Sequence, residues 1–151
     1  MMGEIEFGSS TLYEYANIDW EALVDNLSGD TDVARQAVTN LIRAISLVSP
    51  SGKQNSFAAH NLPDMVMVEV NEEAIPVNYA NAFLRAVRPS ADMNLMDASV
   101  DALGNYVGEM DRVFGLPIQR AYVNTTAYEI PGEAIESLDE LISWVVNRVE
   151  G

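Results

Sequence analysis

Cysteine is absent from this chain, and lysine and histidine occur once each, at Lys53 and His60. Without thiols there is no disulfide framework and no thiolate metal site, a composition compatible with a reducing cytoplasm. Long apolar runs are also lacking: none approaches the ~18 residues that a membrane span requires. The N-terminus carries Glu4 and Glu6 in place of a basic leader. A soluble, cytoplasmic protein without a membrane partner is the expectation. Positive charge is scarce, with 8 Lys and Arg against 23 Asp and Glu and a formal charge of −15. That balance by itself argues against nonspecific binding to nucleic acid or to an anionic membrane, because phosphate contacts need clustered cations.

One region lacks acids instead. From Val33 to Pro63 there is no Asp or Glu, although acids make up 23 of the 151 residues. Inside this window the stretch Pro50 to Pro63, PSGKQNSFAAHNLP, holds both Lys53 and His60. A cation and oriented amides in a Gly/Ser loop suit a phosphate or a carboxylate. The pattern names the charge of a ligand and no reaction.

At 151 residues and 48% hydrophobic content, the chain suffices for one domain that buries roughly two-thirds of its unfolded surface. Residues 4 to 15 alternate, with Ile5, Phe7, Thr11, Tyr13 and Tyr15 on one face, and read as a strand covered on one side. Asp19 caps a short helix through Leu27 that Gly29 closes, and Thr31 or Asp32 begins a longer helix that Pro50 ends. Its predicted core stripe is Val33, Ala37, Val38, Leu41, Ile45 and Val48, with Arg35 and Arg43 off it. Met65 to Val70 reads as a buried strand, and Asn71-Glu72-Glu73 as a turn into a short strand at Ile75 to Val77. Asn78 to Arg88 has no clear period. Beyond Pro89, Met96, Val100, Leu103, Val107, Met110 and Phe114 give an amphipathic helix stopped by Gly115 and Pro117. Gly104 and Gly108 inside it cost about 1 kcal/mol each against alanine, which points to an element crossing closely there. Ile118 to Thr125 is a third strand, and Ser137 with Glu140 forms a capping box for a last helix carrying Leu138, Leu141, Ile142, Val145 and Val149. No repeat or linker divides the chain. The expected class is α+β, with helices layered on a mostly antiparallel sheet.

Catalytic and metal motifs fail on their chemistry. Gly52-Lys53 is no phosphate-binding P-loop, because no glycine stands five residues before Gly52 and Gln54 follows the lysine. Pro50 stands where a Ser-x-x-Lys nucleophile would need serine. His60 lies near Ser56, but no third group in the sequence orients it. The acidic pairs Glu72-Glu73 and Asp139-Glu140 have neither histidine partners nor calcium-loop spacing. Neither a catalytic site, a metal nor a cofactor is expected.

The segment SGKQNSFAAHNLPD after an apolar helix, with Val66-Met67-Val68-Glu69-Val70 behind it, resembles the CasC-type backbone subunit of the type I-E CRISPR surveillance complex, Cascade. The opening MMGEIEFGSSTLYEYANID resembles the segment that follows the RNA-clamping thumb of that family, and ANAF at Ala80 to Phe83 fits as well. The family's subunit is more than twice this long, so the resemblance implies a single-domain C-terminal portion whose N-terminal half is missing. It implies the rest of a ferredoxin-like, RNA-recognition-type palm. It also implies a non-catalytic subunit that polymerises along CRISPR RNA, beside further copies and other Cascade subunits, and meets target DNA through the guide. On that resemblance Lys53 neutralises a phosphate, Gln54 and Asn55 bond phosphate or ribose oxygens, and Gly52 lets the backbone approach; Ser51, Ser56, His60 and Arg43 complete the RNA-binding set. None of these contacts reads base sequence, as a coat for differing guides requires. Phe57 is either a base-stacking platform or a core plug under the loop. The alternative from another class is a small acidic adaptor that binds only protein; a hydrolase using Ser56 and His60 ranks behind both.

Overall fold

The computed structural model describes residues 11–48, 61–73 and 75–149. Helix α1 spans Trp20–Asn26, with the Asp19 carboxylate accepting from the Ala22 N–H at 2.9 Å. Helix α2 spans Thr31–Leu47 and is capped by Asp30, which accepts from the Val33 N–H at 3.0 Å. Strand β1 is Met65–Asn71, and a 3-10 helix follows at Ala80–Phe83. Helix α3 spans Leu95–Phe114 and stops at Gly115, whose φ of 57° is left-handed. Strands β2 and β3 are Ile118–Asn124 and Glu133–Ala134, and helix α4 is Leu138–Val146, with the Ser137 hydroxyl accepting from the Glu140 N–H at 3.2 Å.

The sheet order is β1-β2-β3. β1 and β2 run antiparallel from Met65 opposite Asn124 to Asn71 opposite Ile118, while β3 lies parallel to β2 at Ala121 and Tyr122. Side chains alternate across this ladder. Val66, Val68, Val70, Ala121 and Val123 face one layer, where Val38 of α2 and Leu141, Trp144 and Val145 of α4 form the core. Met65, Met67 and Tyr122 face the other layer, against Val100, Leu103 and Val107 of α3, Ile130, and Tyr79 beside the 3-10 helix. Both faces of the sheet are thus covered. The predicted α+β class and its mostly antiparallel sheet stand.

Four expectations need correction. The described part of the predicted strand at 4–15, residues 11–15, is not a strand. The Tyr13 hydroxyl instead accepts from the Tyr79 N–H at 3.2 Å, and its ring lies 5.6 Å from that of Phe83, so Tyr13 packs against the 3-10 helix and the residue before it. Ile75 to Val77 is not a strand, because the Asn71 amide donates to the Ile75 carbonyl at 3.1 Å and closes a turn, and Pro76 lacks a ladder donor. The third strand of the sheet is β3, which two residues could not announce. On α2 the covered ridge is Ala34, Val38 and Ile42, whereas Val33, Leu41 and Val48 stay 43%, 38% and 71% exposed. These are neighbouring i, i+4 ridges of one helix, both apolar, and the position of α4 chooses between them. Among the described residues no helix is long and apolar enough to cross a membrane.

Candidate functional site

The predicted RNA loop, Ser51, Gly52, Lys53, Gln54, Asn55, Ser56 and His60, lies outside the described residues, as does Phe57. Its surroundings are described. Asp64, just before β1, accepts from the Thr125 N–H and the Thr125 hydroxyl, each at 2.8 Å. This pins the downstream chain beside the turn that leaves β2. Arg43 is exposed on α2 and donates to Asp139 in the first turn of α4 at 2.7 Å, so it joins two helices.

Coverage of both sheet faces restricts how a nucleic acid can meet these elements. An RNA-recognition sheet works by stacking bases on an open face, and α2 with α4 on one side and α3 on the other leave no such face among the described residues. Connecting segments are the accessible alternatives.

The most organised polar group was not anticipated, although Glu69 and Arg120 are the lone charges of β1 and β2 and stand opposite each other in the ladder. The Arg120 side chain is 4% exposed. Its Nε donates to Glu69 Oε1 at 2.5 Å, and its two terminal nitrogens reach the Asp111 carboxylate at 2.8 and 3.0 Å. It also donates to the Pro131 carbonyl at 3.1 Å and the Tyr79 hydroxyl at 3.0 Å. That hydroxyl in turn donates to Glu69 Oε1 at 2.8 Å. β1, α3, β2, the Tyr79 segment and the loop before β3 are joined through one guanidinium. Burial acts to lower the Arg120 pKa, but the bonds to Asp111 and Glu69 prevail and hold it above the ordinary arginine value. Burial, then the bond to Glu69 carboxylate, raise the Tyr79 phenol well above the ordinary tyrosine value. All the donors of this arginine that matter are engaged, and the phenol keeps its proton at neutral pH. The cluster is therefore a clamp and offers neither an acid–base pair nor a vacant ligand position.

The remaining arginines divide sharply. Arg35 pairs with Asp32 at 2.8 Å, Arg112 pairs with Glu109, and Arg148 lies 3.6 Å from Glu133 with its guanidinium carbon 3.6 Å from the Trp144 ring centroid. Arg85 and Arg88 are exposed and have no carboxylate partner among the described residues. Arg85 borders an open groove of about 560 Å³ between the 3-10 helix and α3, with Asn81 and Leu84 on its own wall and Asn105, Tyr106 and Glu109 opposite. The Arg112 hydrogen bond and charge hold the Glu109 carboxyl below the ordinary glutamate range, so this acid stays ionised and neutralised by its neighbour. No group of three or more His, Cys, Asp or Glu side chains placed to hold a metal occurs among the described residues.

A family model described as CT1975-like protein matches residues 1–144. No curated protein matches the chain. Among solved structures, a chain of a "CRISPR RNA-guided surveillance complex" shares 32% identity with a TM-score of 0.78, covering 87% of this chain and 50% of its own. A chain of a "CRISPR RNA-guided surveillance complex, pre-nicking" shares 30% identity with a TM-score of 0.75, covering 87% of this chain and 36% of its own. This chain thus spans half or less of the length of these two relatives.

Proposed function

Because this chain belongs to the CT1975-like family of Cas proteins, we propose that it is the C-terminal part of a non-catalytic, type I-E-like Cascade backbone subunit that coats CRISPR RNA. The observation that carries this reading is the 32% identity, over 87% of this chain, to a chain of an RNA-guided surveillance complex. In this role further copies stand side by side along the guide, other Cascade subunits complete the particle, and target DNA is met by pairing with the held RNA.

The acid-free loop supplies the chemistry. Lys53 neutralises one phosphate, Gly52 lets the main chain approach, and the amides of Gln54 and Asn55 bond phosphate or ribose oxygens, with Ser51, Ser56 and His60 around them, while Arg43 is held by Asp139. Coverage of both sheet faces supports a contact made by connecting segments. The net charge of −15 also fits a strand held at a few local points instead of across a basic surface.

The test is Lys53→Ala in the assembled complex, with guide retention compared on two unrelated spacers. The expected result is equal weakening on both, since a phosphate contact positions without specifying. No effect, or an effect on one spacer only, refutes a backbone-contact role for the loop.

A further inference from the structure

We propose two further phosphate contacts on the same RNA strand, one by Arg85 at the groove between the 3-10 helix and α3 and one by Arg88 three residues on; the proposal rests on the RNA-coating reading above. The sequence carries the first sign. Ala74 to Ala91 contains no Asp or Glu, and neither does Arg112 to Tyr128. The latter is largely explained by β2, whose centre is buried and excludes unpaired acids. Burial does not explain Ala74 to Ala91, most of whose described residues are exposed. An exposed segment without acids, in a chain with 23 of them, leaves its cations unquenched.

Side-chain pairing gives the second sign. The other five arginines are neutralised by carboxylates, while Arg85 and Arg88 have none among the described residues. Three residues apart, they are separated by at most about 10 Å of chain and can address one strand. The guanidinium fork suits two oxygens of a phosphodiester. Asn81 adds an amide donor on the same wall, and Leu84, 80% exposed, offers apolar surface to a sugar or base. Glu109 on the far wall repels a phosphate, although Arg112 balances it. A strand is therefore drawn to the 3-10 side. With both sheet faces covered, a connecting segment such as this one is an accessible place for the strand.

The experiment measures guide-RNA retention against salt in the assembled complex, comparing wild type, Lys53→Ala, Arg85→Ala/Arg88→Ala and Arg85→Lys/Arg88→Lys on two spacers. Each phosphate contact with a single strand contributes a slope of about −0.7 in log K against log salt, so the double alanine variant should flatten the slope by about 1.4 on both spacers. The lysine variant should recover most of it. A slope equal to wild type while Lys53→Ala flattens it overturns these contacts and leaves the coating reading in place. A wild-type complex that carries no RNA overturns both. Altered subunit stoichiometry with an unchanged slope assigns the surface to a protein partner and overturns the proposal. Loss of target-DNA capture with RNA retention intact assigns it to DNA and does the same.

Discussion

Two glycines one turn apart on α3 should respond to alanine with opposite signs. A Gly→Ala change inside a helix stabilises by about 1 kcal/mol, partly by restricting the unfolded chain. At Gly108 an added Cβ meets only Pro131 Cγ at 3.6 Å, an ordinary contact, so Gly108→Ala should gain most of that amount. At Gly104 the same atom falls 3.0 Å from the Glu129 carbonyl oxygen and 3.1 Å from Ile130 Cγ2. The obstacle is backbone, and it has little room to retreat. Ile130 is 5% exposed in the core, and the Pro131 carbonyl next to it is held by Arg120. Overpacking costs about 1–3 kcal/mol, so Gly104→Ala should be destabilised by up to about 2 kcal/mol net and lie about 1–3 kcal/mol below Gly108→Ala. Urea unfolding of the chain, followed by far-ultraviolet circular dichroism, reads both as shifts in midpoint at constant slope. At this size 1 kcal/mol moves Tm by about 2–4 °C. Equal stabilisation of both variants would show that the 129–131 loop does not cross α3 tightly, and would refute the packing described here.

Arg120→Met should cost about 3 kcal/mol in the same assay, the low end for removing one partner of a buried ion pair, because Asp111 is 38% exposed and regains water while Glu69, at 17%, does not. Adding Glu69→Gln should recover part of that loss, and no recovery would mean the charge on Glu69 is not the cause. Raising pH should destabilise the chain through Tyr79. Its phenol pKa is raised in the folded state, so its contribution is complete below the unfolded value near 10 and falls above it, by about 1.4 kcal/mol per pH unit. Tyr79→Phe should therefore be less stable at pH 7 yet show a shallower alkaline decline, and an unchanged decline would assign the titration elsewhere. Arg43→Ala should alter stability by less than about 1 kcal/mol, and less still in high salt, because its pair with Asp139 is exposed; a larger, salt-independent loss would contradict a surface pair.

What the sequence determined is what short-range chemistry can encode. Asp19, Ser137 and Gly115 mark helix ends because capping is a matter of three or four neighbouring residues. Met65 to Val70 announces a strand because five of its six residues are apolar and helices pack on both of its faces, and Ile118 to Thr125 does so through its buried apolar centre, Ala121 to Val123. The acid-free loop at Lys53, and the resemblance built on it, are likewise local and needed no tertiary information. Contacts between distant residues decided the rest. Tyr13 and Tyr79 stand 66 positions apart, and Glu69 and Arg120 stand 51 apart, so no window along the chain could show that Tyr13 rests against the 3-10 helix or that two lone charges in facing strands neutralise each other. On α2, two adjacent apolar ridges satisfy the same helical period, and only the place where α4 docks determines that Ala34, Val38 and Ile42 are covered. Arg85 and Arg88 show the same division: their charge is written in the sequence, but that they alone among the arginines lack a carboxylate partner among the described residues follows from where the folded chain carries its acids.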